Sequence, residues 1–308
     1  GILNIAFHTK MNSIGSEVLE GLNKVIDLAE NEEQWKGVVV SNEGAQFSAG
    51  ANVGMIFMLA VEQEWDDLNH AVQVFQRTMM RMRYSGIPVV AAPHQMALGG
   101  GCELCMHADK VVAHAETYIG LVEFGIGVIP AGGGTKEFVV RLNDEMHNGD
   151  MRINRLRDRF LTIGQAKVAT SAHEAFELGY LRKGIDEVVV NRRDQLAKAK
   201  RAAMELAASG YTMPLERKDI TVAGQEGLGI VYVGAHSMKS GKYISDHDQL
   251  ISEKLGYAMC GGDLSERTEV SEQYLLDLER KAFVELCMQR KTLERMQSLI
   301  QKGKILRN

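Results

Sequence analysis

The sequence predicts an α/β fold with a largely parallel interior, followed by a mostly helical C-terminal part. In the first half, short β-branched runs alternate with amphipathic segments, and glycine-rich turns separate the two. In the last third, apolar residues recur with helical spacing. No repeat with a period of roughly 20–50 residues is visible, so a solenoid is not expected.

The first elements follow one another closely along the chain. Leu3, Ile5 and Phe7 alternate as in a strand, and apolar residues every three or four positions predict a helix from Ser16. The β-branched run at 38–40 is typical of a strand buried on both faces. A long helix follows, and its apolar stripe predicts core rather than a ligand groove: Trp65, Leu68, Val72, Phe75, Met79 and Met82.

Prolines and glycines mark the limits of the next elements. Pro88 and Pro93 bound a short strand at 87–93, because proline is tolerated at strand ends but not within a central ladder. The glycines at 99–101 open a helix that runs through Met106, and 110–114 has strand character again. The glycines at 132–134 open a further helix.

Beyond about residue 140 the composition changes. Segment 142–159 is dense in charge, contains the turn signal Asn148-Gly149-Asp150, and is interpreted as a surface insertion. Residues 160–211 are predicted to be helical with one strand at 187–190. Pro214 and four glycines at 224, 227, 229 and 234 predict a junction, and 270–300 is again helical. We therefore expect a core at 1–211 and a helical extension at 212–308.

Composition excludes several classes of function. The 308 residues carry a formal net charge of −5 without a basic block, which argues against nucleic-acid binding. No apolar run approaches the ~20 residues that a membrane-spanning helix needs. Four cysteines and a start unlike a signal peptide predict reduced thiols in the cytoplasm, or in the mitochondrial matrix of a eukaryote.

Three motif interpretations are rejected. Cys102 and Cys105 form a lone C-x-x-C without a second pair of ligands, so we interpret both as small buried side chains and predict no metal site. In the glycine-rich segment 127–136, Thr135 precedes Lys136, which is the wrong order for a phosphate loop. Gly125-Ile126-Gly127 does not continue as a dinucleotide fingerprint, so neither nucleotide hydrolysis nor nicotinamide binding is predicted.

Two small-residue loops and two glutamates remain as candidates for chemistry. The loop at 47–51 follows the strand at 38–40, and the loop at 97–101 leads into a helix. Backbone N–H donors on two separate loops are what an oxyanion hole requires. Glu103 and Glu123 lie among apolar neighbours, where burial would raise a carboxyl pKa toward the range that general acid–base catalysis needs.

These segments resemble the crotonase (enoyl-CoA hydratase/isomerase) superfamily. Five blocks occur in the family's order and spacing: FSAGAN at 47–52, IPVVAA at 87–92, ALGGGCEL at 97–104, GLVE at 120–123 and IPAGGGT at 129–135. The resemblance extends to about Tyr211. It implies a spiral of ββα turns that binds acyl-CoA thioesters, with coenzyme A carried by the substrate and no further cofactor.

The resemblance also implies roles for particular residues. The N–H groups of Ala51 and Gly100 would hold the thioester carbonyl. Glu103 would orient and deprotonate water while Glu123 supplies a proton to Cα. Retention of both glutamates favours hydration of trans-2-enoyl-CoA to 3-hydroxyacyl-CoA in β-oxidation. The substrate contacts implied by position are Ala49, Asn52, Val53, Gly99, Pro130 and Gly132, although Asn52 stands where the family often has Asp.

Two alternatives stay open at this point. A Δ3,Δ2-enoyl-CoA isomerase moves one proton and can work with a single base. A non-catalytic acyl-CoA-binding or assembly module would explain why about a third of the chain lies outside the family's motifs. Resemblance to the family also implies self-association into a homo-oligomer.

The C-terminal part carries a second resemblance. Segments 277–283 and 303–308 are similar to the C-terminus of bifunctional fatty-acid oxidation proteins, in which a 3-hydroxyacyl-CoA dehydrogenase precedes a hydratase. The chain starts at Gly1 and enters a strand at once. We therefore expect it to be the hydratase half of such a protein, with a dehydrogenase domain as partner.

Overall fold

The computed structural model describes residues 1–147 and 149–308, which form two compact units. The first unit consists of Gly1–Asn52, Val74–Leu121 and Val168–Leu215. The second unit consists of Val53–Gln73, Val122–Lys167 and Glu216–Asn308. Each unit is thus assembled from three separate stretches of the chain. The division of the chain into a catalytic core at 1–211 and a helical extension at 212–308 stays a prediction.

The first unit contains a five-stranded, fully parallel sheet, as predicted. Its spatial order is β1 (Leu3–Ile5), β2 (Val38–Val40), β3 (Val89–Ala91), β5 (Lys110–His114) and β8 (Glu187–Val189). Every residue of β2 and β3 is buried, which confirms the prediction from the β-branched run. The α/β class is therefore confirmed.

A second, three-stranded sheet lies in the same unit and was not predicted as separate strands. It consists of β4 (Gln95–Leu98), β6 (Thr117–Gly120) and β7 (Val168–Ala169). Strand β4 pairs in parallel with β6, and β6 pairs antiparallel with β7. These strands are only two to four residues long, too short for alternation to reveal them in the sequence.

Helices cover the sheets of the first unit. They are α1 (Ser16–Asn31), the part of α3 (Trp65–Arg83) from Val74 onward, α4 (Gly100–His107), α7 (Ala172–Leu178) and α8 (Arg192–Ala208), with a 3-10 turn at Lys10–Asn12. Small residues Ala199, Ala202 and Ala203 let α8 pack on the sheet beside Val39 and Val90. The predicted stripe on α3 is confirmed as core from Leu68 onward, since Leu68, Val72, Phe75, Met79 and Met82 are all buried, whereas Trp65 is half-buried.

The second unit is mostly helical, as predicted for the C-terminal part. Its helices are α2 (Val53–Val61), the start of α3, α5 (Gly134–Asp144), α6 (Arg152–Gly164), α9 (Gly224–Ser240), α10 (Asp246–Cys260), α11 (Glu272–Cys287) and α12 (Arg290–Lys302). A 3-10 turn spans Glu123–Ile126, and β9 (Ile220–Val222) pairs antiparallel with β10 (Thr268–Val270). Within this unit α12 packs against α2.

The predicted junction at Pro214 agrees with the boundary between the units at Leu215 and Glu216, but the glycines from 224 to 234, predicted to mark it as well, lie in helix α9. Gly227 in α9 is tightly packed, because an added Cβ would lie 3.0 Å from the Cys260 sulfur. Gly256 in α10 is similar, because an added Cβ would lie 2.6 Å from Val231 Cγ1. Gly227 and Gly256 therefore allow close contact between α9 and α10, whereas an added Cβ at Gly229 or Gly234 would meet no atom within 4 Å.

The segment interpreted as an insertion, 142–159, contributes the first half of α6. Leu156 is buried, and the Arg159 guanidinium lies 5.3 Å from the centre of the Phe138 ring. This part of the segment is therefore a helix with one buried face, whereas Met151, Arg157 and Asp158 are exposed; the insertion itself stays a prediction. Asn148, the first residue of the predicted turn, lies outside the described residues.

Charged side chains are buried between α5 and α11. The Lys136 ammonium lies 2.8 Å from a Glu272 oxygen and 2.5 Å from a Glu137 oxygen. The Arg141 Nε lies 3.4 Å from the other Glu137 oxygen. All four side chains are at most 5% exposed. Two cations and two carboxylates therefore compensate one another inside the second unit.

Asp109, which follows α4, is a largely buried carboxyl of the first unit. It accepts hydrogen bonds from the Val89 N–H at 2.7 Å and the Tyr211 hydroxyl at 3.0 Å. Burial raises the pKa of Asp109 to about 6, and these hydrogen bonds partly oppose the shift.

Within the described ranges, no helix has the length and apolar character needed to cross a membrane.

Replacement of Lys136 with Met should lower the free energy of unfolding by about 3–5 kcal/mol, because Glu137 and Glu272 lose the cation they share. Urea denaturation measures the change. Lys24→Met is the matched control, since its pair with Glu20 spans 3.7 Å between exposed side chains and is worth at most about 0.5 kcal/mol. A loss no larger than the control's would contradict the buried network.

The buried Asp109 predicts a pH dependence of stability. Its folded pKa of about 6 exceeds the ordinary value of 3.8, so the folded state holds the proton more tightly than the unfolded state. The stabilisation is complete below pH 4 and is lost as the pH rises through 6, by about 3 kcal/mol in all. Urea unfolding between pH 4 and 8 should show this loss in the wild type and not in Asp109→Asn.

A second variant checks the direction of the effect. Tyr211→Phe removes a hydrogen bond that lowers the pKa of Asp109, so the loss of stability should move to higher pH. An unchanged profile in both variants would show that Asp109 is not the titrating group.

Candidate active site

The loop after β2 is held in place by backbone hydrogen bonds. The Ser48 N–H donates to the Met96 carbonyl at 2.8 Å, and the Leu98 N–H donates to the Ser48 carbonyl at 3.0 Å. On the other side, the Ile14 N–H donates to the Gly50 carbonyl at 2.9 Å. The loop is therefore fixed against β4 and against the start of α1.

Gly50 makes the turn in this loop possible. Its φ of +103° lies in the region that favours glycine, and its N–H donates to the Ser48 hydroxyl at 3.1 Å. A Cβ added at Gly50 would lie 2.8 Å from the Leu98 carbonyl oxygen and 3.3 Å from the Gly100 nitrogen. The loop can therefore lie against the start of α4 only with glycine at this position.

The second loop approaches from β4. Gly99 has a φ of +52°, donates its N–H to the Gly120 carbonyl at 2.9 Å, and precedes α4. A Cβ added at Gly100 would lie 2.9 Å from Phe75 Cζ and 3.0 Å from the Ala51 nitrogen. A Cβ at Gly101 would lie 2.7 Å from Ser48 Cβ. The two loops thus approach each other more closely than side chains would allow.

The N–H groups of Ala51 and Gly100 are left available by this arrangement. Across residues 1–147 and 149–308, neither N–H donates a hydrogen bond to another group of the chain. Gly100 also begins α4, where the helix dipole favours negative charge. Two convergent donors on separate loops could stabilise a developing oxyanion.

Glu103 lies in the first turn of α4 and is 3% exposed. Its N–H donates to the Gly99 carbonyl at 2.9 Å, and its own carbonyl lies 2.7 Å from His107 Nδ1. All eight residues of α4 are buried. A carboxyl group at so buried a position is costly unless its surroundings compensate it, and such positions are frequent in catalytic sites.

Glu123 begins the 3-10 turn of the second unit and is half-buried. Backbone hydrogen bonds close the turn: the Gly125 N–H donates to the Val122 carbonyl at 3.0 Å, and the Gly127 and Val128 N–H groups donate to the Phe124 and Glu123 carbonyls, both at 3.2 Å. Gly127 ends the turn with a φ of +92°.

The glycine-rich loop at 130–134 differs from the loop at 97–101. The Gly133 and Lys136 N–H groups donate to the two oxygens of Glu279 at 2.7 and 2.9 Å. Glu279 comes from α11 and is fully buried. The N-terminus of α5 is therefore occupied by a carboxylate of the chain itself, and Pro130 and Gly132 lie buried beside it.

The ten predicted site residues divide between the two units. Six lie in the first unit: Ala49, Ala51, Asn52, Gly99, Gly100 and Glu103. Four lie in the second unit: Val53, Glu123, Pro130 and Gly132. The structure brings together the two loops and Glu103 within the first unit. Asn52 is exposed. Ala49 is half-buried, and its N–H donates to the Met11 carbonyl. The assignment of roles stays a prediction.

Sequence reasoning missed the residues that support these groups. Phe75 borders Gly100, and Glu279 fills the start of α5. Phe75 is one apolar residue in a helical stripe, and Glu279 follows Gly133 by 146 positions. Neither has a local pattern that would have singled it out. Cys102 and Cys105 are fully buried, as interpreted.

Comparison with known proteins places these observations in context. Residues 1–146 match the family model of enoyl-CoA hydratase/isomerase. A Bacillus subtilis strain 168 protein described as a probable 3-hydroxyacyl-CoA dehydrogenase is 41% identical over 304 residues, which cover 99% of this chain and 38% of that protein. A Rickettsia felis protein, provisionally described as a fatty acid oxidation complex trifunctional enzyme, is 27% identical over 95% of this chain and 36% of that protein.

The chain therefore spans less than half the length of these relatives. Among solved structures, enoyl-CoA hydratase from Bacillus halodurans has a TM-score of 0.64 at 18% identity, with 97% of this chain and 96% of that one covered. The predicted fold and the predicted resemblance to fatty-acid oxidation proteins are both confirmed. Residues 1–146 thus resemble the enoyl-CoA hydratase/isomerase family in sequence, and nearly the whole chain has the fold of a solved enoyl-CoA hydratase.

Proposed function

We propose that this chain hydrates trans-2-enoyl-CoA to 3-hydroxyacyl-CoA as a step of fatty-acid β-oxidation. One observation carries the proposal: the available N–H groups of Ala51 and Gly100 lie on two tied loops, and Glu103 lies on the helix that the second loop begins. The match to the enoyl-CoA hydratase/isomerase family supports the same class of substrate.

The proposed mechanism starts at the thioester carbonyl. Its oxygen accepts hydrogen bonds from Ala51 and Gly100, and negative charge collects there as water adds to Cβ. Glu103 takes one proton from the attacking water, whose oxygen forms the new bond to Cβ. Glu123 in its protonated form delivers a proton to Cα as the enolate collapses. Return of the proton from Glu103 to Glu123 through solvent restores both carboxyl groups, so the sum is one water added across the double bond, with no oxidant or reductant consumed.

This chemistry requires neither a metal ion nor a redox cofactor, and coenzyme A arrives with the substrate. The product is a 3-hydroxyacyl-CoA. The Bacillus subtilis relative is described as a dehydrogenase of this class of compound. We therefore infer that a 3-hydroxyacyl-CoA dehydrogenase domain belongs to the same polypeptide. We also propose that the protein forms homo-oligomers and that it acts in the cytoplasm or in a mitochondrial matrix.

A Δ3,Δ2-enoyl-CoA isomerase is the second candidate, because the matching family includes both activities. An isomerase moves a proton between two carbons and adds no water. Incubation with 2-enoyl and 3-enoyl thioesters in ¹⁸O-labelled water separates the two. Hydration incorporates label into the 3-hydroxy product, whereas isomerisation alone incorporates none. Tight acyl-CoA binding without either reaction would favour a non-catalytic module.

Replacement of either glutamate with Gln should lower kcat for crotonyl-CoA hydration about 10²–10⁴-fold, because each variant removes a proton-transfer group. Loss of the conjugated absorbance of crotonyl-CoA measures the rate. Glu116→Gln is the matched control, since Glu116 is exposed on the turn between β5 and β6. A rate within a few-fold of wild type in Glu123→Gln would show that Glu123 is not the acid.

Gly100→Ala should lower kcat about 10²–10³-fold while the protein stays folded, because the new Cβ presses on Phe75 and on the Ala51 nitrogen and separates the two donors. The same hydration assay, with circular dichroism for the fold, checks this expectation. Gly21→Ala in α1 is the control, because an added Cβ there meets no atom within 4 Å. Equal activity of the two variants would argue against an oxyanion hole at Gly100.

A further inference from the structure

The turn that carries Glu123 is held from α12. The Thr292 hydroxyl donates to the Gly127 carbonyl at 2.8 Å, and Thr292 is fully buried. His247 Nε2 lies 2.9 Å from the same hydroxyl. A chain of two hydrogen bonds therefore runs from α10 through α12 to the end of the turn at Glu123–Ile126.

The direction of these hydrogen bonds follows from their chemistry. The Gly127 carbonyl can only accept, so the single Thr292 proton goes to it. Thr292 Oγ1 must then accept from His247, which requires the proton to be on Nε2. The chain is thus His247 Nε2–H to Thr292 Oγ1–H to the Gly127 carbonyl.

The charges around His247 favour this neutral form. Burial and the nearby cations Arg295 and Lys291 lower the pKa of His247 to about 4, against the opposing effect of Asp248 and Glu294. Asp248 is held by Arg295 at 2.9 Å and by Arg307 at 3.2 Å. At neutral pH the His247 imidazole is therefore neutral, and its single N–H, on Nε2, donates a hydrogen bond to Thr292 Oγ1.

Packing reinforces the hydrogen bonds at the same turn. A Cβ added at Gly127 would lie 2.8 Å from Thr292 Oγ1 and 2.9 Å from Thr292 Cα, so the turn lies directly against the start of α12. A Cβ added at Gly125 would lie 3.1 Å from Ile305 Cδ1. The C-terminal part of the chain therefore packs against the turn at Gly125 and Gly127.

We propose that Thr292 and His247 are positioning residues for the proton transfer assigned to Glu123, an inference that depends on the proposed function. Backbone hydrogen bonds within the turn fix its local shape. The hydrogen bond from Thr292 to the Gly127 carbonyl adds a constraint from outside, because it holds the end of the turn against α12. A proton donor must be held within a fraction of an ångström of its productive position, and a displacement of about 1 Å can cost about 10²-fold in rate.

Thr292→Val, which keeps the shape and removes the hydroxyl, should lower kcat for crotonyl-CoA hydration about 10- to 100-fold. KM should change little, since the loops at 48–51 and 98–101 are untouched. Thr292→Ser retains the hydroxyl and should restore most of kcat. Equal kcat in Thr292→Val and the wild type would overturn the proposal even if Glu123→Gln is impaired.

A double-mutant comparison separates positioning from general damage to the fold. In a Glu123→Gln background the further change Thr292→Val should have almost no effect on kcat, because Thr292 acts through the group already removed. If the two losses multiply instead, Thr292 has only a structural role and the proposal is wrong. If Glu123→Gln alone is as active as the wild type, the proposed function of Glu123 fails and this inference fails with it.

A second pair of variants keeps the test informative if Thr292→Val does not fold. His247→Gln retains an N–H donor toward Thr292, whereas His247→Leu removes it. The Gln variant should keep a kcat several-fold higher than the Leu variant, with matched KM values and both proteins folded by circular dichroism. Equal kcat in the two would overturn the role of His247 in the chain of hydrogen bonds.

Discussion

The candidate site depends on one steric constraint: two backbone loops lie so close together that no side chain fits between them. Gly50, Gly100 and Gly101 are the positions where a Cβ would collide with the opposite loop or with Phe75. The hydrogen bonds between Ser48 and β4 hold the loops at that separation. The same contact places the available N–H groups of Ala51 and Gly100 on facing loops, since a Cβ at Gly100 would lie 3.0 Å from the Ala51 nitrogen.

Two runs of three glycines in this chain precede helices and serve different purposes. At 99–101 the start of α4 keeps an N–H group available, whereas at 133–136 the start of α5 is filled by Glu279. Both helix starts contain three consecutive glycines, and the difference lies in a residue far along the chain. A glycine-rich helix start is therefore a place where an anion can bind, and the rest of the fold decides whether the protein supplies its own.

Local patterns predicted what depends on local physics. The strands at 38–40 and 110–114, the stripe on α3 and the glycine loops follow from burial on two faces, helical spacing and backbone freedom. Patterns failed where a partner is distant: the glycines at 224–234 lie within helix α9, and Gly227 among them allows α9 to pack closely on Cys260 of α10. Lys136, Glu272 and Thr292 likewise acquire their roles only when segments more than a hundred residues apart in the chain meet.

The packing of α12 on α2 has a consequence for synthesis of the chain. Helix α2 leaves the ribosome roughly 230 residues before α12, a delay of about 10 to 50 s at ordinary elongation rates. Its nine residues, VGMIFMLAV, contain no charge. During that interval the nascent protein exposes an apolar helix whose packing partner α12 has not yet been synthesised. We therefore expect chaperones to bind the part of the second unit that is synthesised first.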